Sequence, residues 1–154
     1  MSIRGRIFFI ILSCFFIGLS LAFVVAERDL SEGLQQQIES ELSKQAKILR
    51  QSFAESTKVN NSVSLKSQID SYSVASGSRI TLIAPNGKVL VDSDIAMEKL
   101  EFLDNHSDRP EVIAAFNNGS GSSKRFSNSI QQDMLYFALL DTTSGVERVI
   151  RISV

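Results

Sequence analysis

Arg79-Ile-Thr-Leu-Ile-Ala-Pro-Asn-Gly-Lys-Val-Leu-Val-Asp-Ser-Asp94 is the stretch on which the fold turns. Ile80 and Leu82 alternate with Arg79 and Thr81, and Val89 and Val91 alternate with Lys88 and Leu90. That two-residue period is the mark of a strand with one buried face. Between the two runs, Pro85 presets the first turn angle, while Asn86 and Gly87 tolerate the positive angles that fold two strands together. The spacing predicts a β-hairpin.

Downstream, residues 93–121 read as helix and loop. Asp108-Arg109-Pro110-Glu111 has the form of a helix start, with Asp108 as the cap, proline in the first turn and Glu111 answering from three residues on. Val112, Ile113 and Phe116 form its apolar face, and Asn117-Asn118-Gly119 ends it. Three strands follow, at residues 123–127, 133–141 and 146–154. Met134 to Leu140 is apolar almost without a break, as in a strand covered on both faces. In the last run Ile150, Ile152 and Val154 alternate with Val149, Arg151 and Ser153, so one buried face is expected there.

Upstream, residues 64–74 read as a helix with Leu65, Ile69 and Tyr72 on one side, ended by Ser76-Gly77-Ser78. Residues 56–62 are polar and turn-forming. Before them, residues 27–56 carry Leu30, Leu34, Ile38, Leu42, Ala46, Leu49 and Phe53 at helical spacing, one stripe on a long helix. The stripe is expected to pack on its own domain, on the same helix of a second copy to form a homodimer, or on both. The sum is an α+β domain with a five-stranded antiparallel sheet, helices on one face.

The run 7–26 is twenty uncharged, mostly apolar residues, preceded by Arg4 and Arg6 and followed by Glu27. A helix of that length spans roughly 30 Å, the thickness of a bilayer core. The charge bias predicts a cytoplasmic N-terminus (residues 1–6), a transmembrane helix (7–26), a juxtamembrane helix (27–56) and an extracytoplasmic domain (57–154). Cleavage after Ala26 would instead give a secreted protein, but the apolar run is longer than a signal core and continues into helix-forming sequence. A lipoprotein site at Cys14 would strand a dozen largely apolar residues outside the cut. Cys14 is the sole cysteine, so no disulfide forms within the chain, which suits a bacterial envelope protein. The net charge of −1, with both signs interspersed, argues against nucleic acid as a partner.

Arg79 to Asp94 resembles the first hairpin of extracytoplasmic PAS-like sensor domains. Asn105-His106-Ser107-Asp108-Arg109-Pro110-Glu111-Val112 resembles the Asn-His-x-x-Arg-Pro-Glu segment that follows it in them. Asp133-Met134-Leu135-Tyr136 and Val149-Ile150-Arg151-Ile152 are similar to their last two strands. The family is the sensor region of bacterial membrane histidine kinases of the phosphate-regulon and cell-wall-regulating type. The resemblance implies a PAS-like domain in the inner membrane, working as a dimer and tuning a cytoplasmic kinase. It also implies a second membrane helix, a phosphoacceptor helix and an ATP-binding domain, none of which this sequence contains. The chain is therefore expected to be the sensor portion of a longer kinase. The other readings are a stand-alone membrane-anchored binding module and the sensor of a chemoreceptor or cyclic-dinucleotide enzyme.

No nucleophile with an adjacent base, nucleotide loop, cofactor motif or metal motif is legible, so the chain itself is not expected to catalyse a reaction. Asp92 and Asp94 are too few oxygen ligands for a cation site and are expected to be solvated. Candidate contacts for a small ligand or an envelope protein partner are His106, Arg109, Tyr136 and Arg79. The plainer roles are a loop position for His106, a structural ion pair for Arg109 and core packing for Tyr136.

Overall fold

The computed structural model describes residues 3–55, 62–127, 132–143, 145 and 147–154. The chain divides into two compact units, Met1–Ile38 and Glu39–Val154. The elements are α1 (Ile3–Glu55), α2 (Ser62–Ser76), β1 (Arg79–Ile83), β2 (Val89–Asp92), a short 3₁₀ helix (Met97–Phe102), α3 (Pro110–Asn118), β3 (Ser120–Ser127), β4 (Gln132–Asp141) and β5 (Arg148–Ser153). The expected turn at residues 56–62 lies, except for Ser62, outside the described residues; Ser62 opens α2.

The first unit is the N-terminal part of α1. By length and composition the helix Ile11–Glu55 is long and apolar enough to cross a membrane, its most apolar part having a mean hydropathy of 1.8 and no buried residue. The stripe along α1 divides sharply. Leu30, Leu34 and Ile38 are 65%, 52% and 42% exposed, whereas Leu42 and Leu49 are each 1% exposed and Ala46 and Phe53 are also buried. The second half of the stripe thus packs on its own domain.

The second unit is built on a five-stranded sheet in the order β2-β1-β5-β4-β3, every neighbouring pair antiparallel. The hairpin is as expected, with Thr81 opposite Asp92 and a bulge between Leu82 and Ile83. On one face, Leu42, Leu49 and Phe53 of α1 and Ile69 of α2 pack against Ile80, Leu82, Leu135, Phe137, Ile150 and Ile152. The opposite face is not bare. At one end α3 covers it, Val112 and Ala115 meeting Ile83, Ala138 and Val149. Helices therefore lie on both faces, not one, because β4 is apolar on both sides and Ala138, with Ile83 of β1 and Val149 of β5, needs cover on the second side.

The expectation of one buried face on β5 is corrected as well: all six of its residues are buried, Arg151 and Ser153 included, and Arg151 is buried with polar partners, Thr81 and Glu111. β1 likewise buries Thr81 with its apolar neighbours. Gly121 lets α3 settle closely on β3, since a Cβ there would run into Ala114 and the Glu111 carbonyl. Gly119 closes α3 in the left-handed conformation, φ 86°, its N–H donating to the Ala115 carbonyl.

Candidate functional site

The end of that second face left open by α3 carries a cavity of about 290 Å³. Its floor comes from successive strands: Arg79 of β1, Arg151 of β5, Tyr136 of β4 and Arg125 of β3. Its wall is the segment between the 3₁₀ helix and α3, which supplies Leu103, Asp104, His106 and Arg109. All four ligand-contact candidates read from the sequence, His106, Arg109, Tyr136 and Arg79, thus line one cavity. Strand alternation explains the floor, because Arg79, Arg125, Tyr136 and Arg151 sit at positions facing away from the α1 core.

The wall is held by the hairpin turn. His106 N–H donates to the Gly87 carbonyl at 2.9 Å, and Asn105 Nδ2 donates to the Asn86 carbonyl at 2.8 Å. Gly87 has φ 80°, and a Cβ there would collide with Asn105 and Ser107. The turn therefore needs glycine twice, for its backbone angle and for the close approach of the His106 loop.

A buried polar network runs beneath the cavity across the sheet. Arg79 Nε donates to Asp92 Oδ1 at 3.0 Å and its Nη2 to Oδ2 at 3.1 Å, a two-pronged pair. Thr81 Oγ1 donates to Asp92 Oδ2 at 2.8 Å and accepts from Arg151 Nη2 at 3.1 Å. Arg151 Nη1 reaches Glu111 Oε1 at 3.7 Å, Arg125 Nη2 donates to the same oxygen at 3.3 Å, and Ser123 Oγ donates to Oε2. The Arg125 and Arg151 guanidiniums lie 3.9 and 5.3 Å from the Tyr136 ring centre. Tyr136 is buried, so packing and cavity lining are both its work.

Two sequence expectations are corrected by this network. Asp108 and Glu111 do not cap α3: the helix begins after Arg109, with Pro110 in the first turn and no side-chain cap bond. Asp108 instead pairs locally with Arg109 at 3.6 Å, the ion pair expected for Arg109. Glu111 is fully buried and drawn to Arg125, Arg151 and Ser123, partners stronger than a backbone N–H. Asp92 is buried rather than solvated, held by Arg79 and Thr81 and accepting the Asp94 N–H at 2.9 Å.

Sequence reasoning passed over Arg125 and Arg151 as site residues. Arg151 carried a signal: an arginine between Ile150 and Ile152 in an apolar strand must be paired to be buried. Its pKa is pushed down to about 10, chiefly by burial and partly restored by Glu111, so it stays charged at neutral pH. His106 is held below its ordinary value by burial, then by the Arg151 and Arg109 charges.

No family model and no curated protein matches the chain.

Proposed function

We propose that this chain is the signal-input portion of a bacterial membrane histidine kinase. In this reading the second unit is a PAS-like extracytoplasmic sensor. The apolar part of α1 is its inner-membrane anchor, with the N-terminus cytoplasmic. A homodimer through Leu30, Leu34 and Ile38 belongs to the same reading.

The observation that carries it is the two-sided use of β5. Arg151 faces the cavity, while its neighbours Ile150 and Ile152 pack in the core that contains Leu42 and Leu49 of α1. A ligand, partner or mechanical cue that repositions Arg151 therefore bears on the helix through one strand. A shift in signal needs only a few kcal/mol of difference between two arrangements of that helix. The charge bias around residues 7–26 supports the orientation.

The source locus beyond Val154 tests the assignment. A second apolar span followed by a phosphoacceptor helix and a nucleotide-binding domain is the expected finding. A stop codon directly after Val154 overturns the kinase reading.

A further inference from the structure

We infer that the cavity over β1, β5, β4 and β3 receives a small oxyanion, a metabolite bearing a carboxylate or phosphate group, held by Arg109, Arg125, Arg151 and His106. The inference deepens the sensor reading and rests on it for its physiological meaning. Its structural grounds are independent of the output domain.

The first ground is donors without acceptors. Nε of Arg125 and Arg151 are buried donors with no hydrogen-bond partner among the described residues. Nε of Arg109 has there only the ion pair to Asp108 at 3.6 Å, too long for a hydrogen bond, and Nδ1 of His106 is a buried ring nitrogen without a partner. All four belong to residues lining this one cavity. A buried guanidinium N–H without an acceptor is costly, and a concave set of them calls for a ligand rich in acceptors. Arg Nε and Nη atoms form a planar fork that matches the two oxygens of a carboxylate or phosphate.

The second ground is charge. Arg79, Arg109, Arg125 and Arg151 all line the cavity. Asp92 is taken by Arg79 and Thr81, and the single Glu111 carboxylate is divided between Arg125 and Arg151. Among the described residues Arg109 is paired with the mostly exposed Asp108, at 3.6 Å. Asp104 at the lining and Asp94, 3.8 Å from Arg79, offset part of this excess, but both are exposed to water. The inner wall remains positive.

The third ground is size and lining. A cavity of 290 Å³ lies at the small end of ligand sites. Ile95, Leu103 and Phe126 are its main apolar contributors, too few to hold a lipid tail or an extended aromatic cofactor.

The test is calorimetric titration of the full chain in nanodiscs, at constant ionic strength, with succinate, inorganic phosphate and acetate, and with putrescine as the cationic control. Saturable binding of at least one anion and none of putrescine is expected; preference between succinate and phosphate assigns the carboxylate or the phosphate class. Arg109→Gln, which removes a partly exposed side chain paired with the exposed Asp108, should weaken binding at least about tenfold, one charge-assisted hydrogen bond's worth. Arg125→Gln should do the same, whereas Lys124→Gln, exposed on the opposite face of β3 from Arg125, should bind like the parent. No saturable anion binding, or parental affinity in both arginine variants, overturns the inference. A null titration beside a kinase gene at the locus would remove only the oxyanion. A positive titration beside a stop codon would place the same site on a stand-alone protein.

Discussion

Arg125 and Arg151 converge on one carboxylate oxygen, Glu111 Oε1, at 3.3 and 3.7 Å. One carboxylate thus answers two guanidiniums from different strands, and it does so fully buried. Removing its charge leaves both cations facing each other. Glu111→Gln should destabilise the protein by on the order of 3 kcal/mol, read as a lower denaturation midpoint with an unchanged slope. Unchanged stability would mean that the two arginines are satisfied without it.

The division of the α1 stripe gives a direct comparison. Leu42→Ala opens a cavity in the core and should cost about 2–5 kcal/mol. Leu34→Ala, on an exposed position, should stay within about 0.5 kcal/mol in dilute monomer. Equal costs at the two positions would contradict the observed burial.

Helix continuity needs a different substitution. Proline at Leu42 would break the helix and open the core together, because Leu42 is buried. Gln37 is exposed and lies outside the core residues, so Gln37→Pro interrupts α1 alone. In a transducer fused to a kinase reporter, Gln37→Pro should abolish the response while the domain's melting temperature holds. A normal response would defeat transmission through a rigid helix.

His106 makes the cavity sensitive to pH. Burial and the charges of Arg151 on β5 and Arg109 on its own segment hold its pKa below the ordinary 6.5, against the pull of the Asp104 and Asn105 backbone. Arg79 and Arg125 share the same cavity, and Asp104 also lines it. With a lowered folded pKa, the unfolded chain binds more protons between 6.5 and the folded value. This contribution to stability is therefore complete above 6.5 and is lost as pH falls through 6.5 toward the folded pKa. Saturating phosphate should raise the pKa by favouring the imidazolium. Ring-proton chemical shifts of His106 titrated with and without phosphate check both signs, and an unchanged midpoint would separate the ring from the anion.

Gly87→Ala should cost roughly 1–3 kcal/mol, from the positive φ and the collision with Asn105 and Ser107. It should also increase amide exchange at His106, whose N–H is held by the Gly87 carbonyl. Protection equal to the parent's would show that the loop does not depend on the turn.

The hairpin and the long helix were legible because each rests on a local pattern: Pro85-Asn86-Gly87 defines its turn whatever lies around it, whereas β3, read from residue 123, begins at Ser120. The capping role of Glu111 failed for the opposite reason. Its local pattern fits a helix start, yet β3 and β5, brought near by tertiary folding, offer two arginines that outcompete a backbone N–H. The helices on both faces were missed in the same way, since α3 settles where β4 and β5 leave apolar side chains uncovered. His106, Arg109, Tyr136 and Arg79 were individually visible. Their meeting in one cavity depends on the strand order β2-β1-β5-β4-β3, which no single segment encodes.

The placement of Tyr136 beneath two guanidiniums has a practical optical consequence. The chain contains no tryptophan and only two tyrosines, Tyr72 and Tyr136. The near-ultraviolet absorption of the phenol ring is therefore not masked by an indole, and Tyr136 lies 3.9 Å from Arg125. Any occupant that draws Arg125 or Arg151 off the ring changes the field on that chromophore. Occupancy can then be followed by ultraviolet difference spectroscopy without a dye or label, with Tyr72→Phe leaving Tyr136 as the sole reporter.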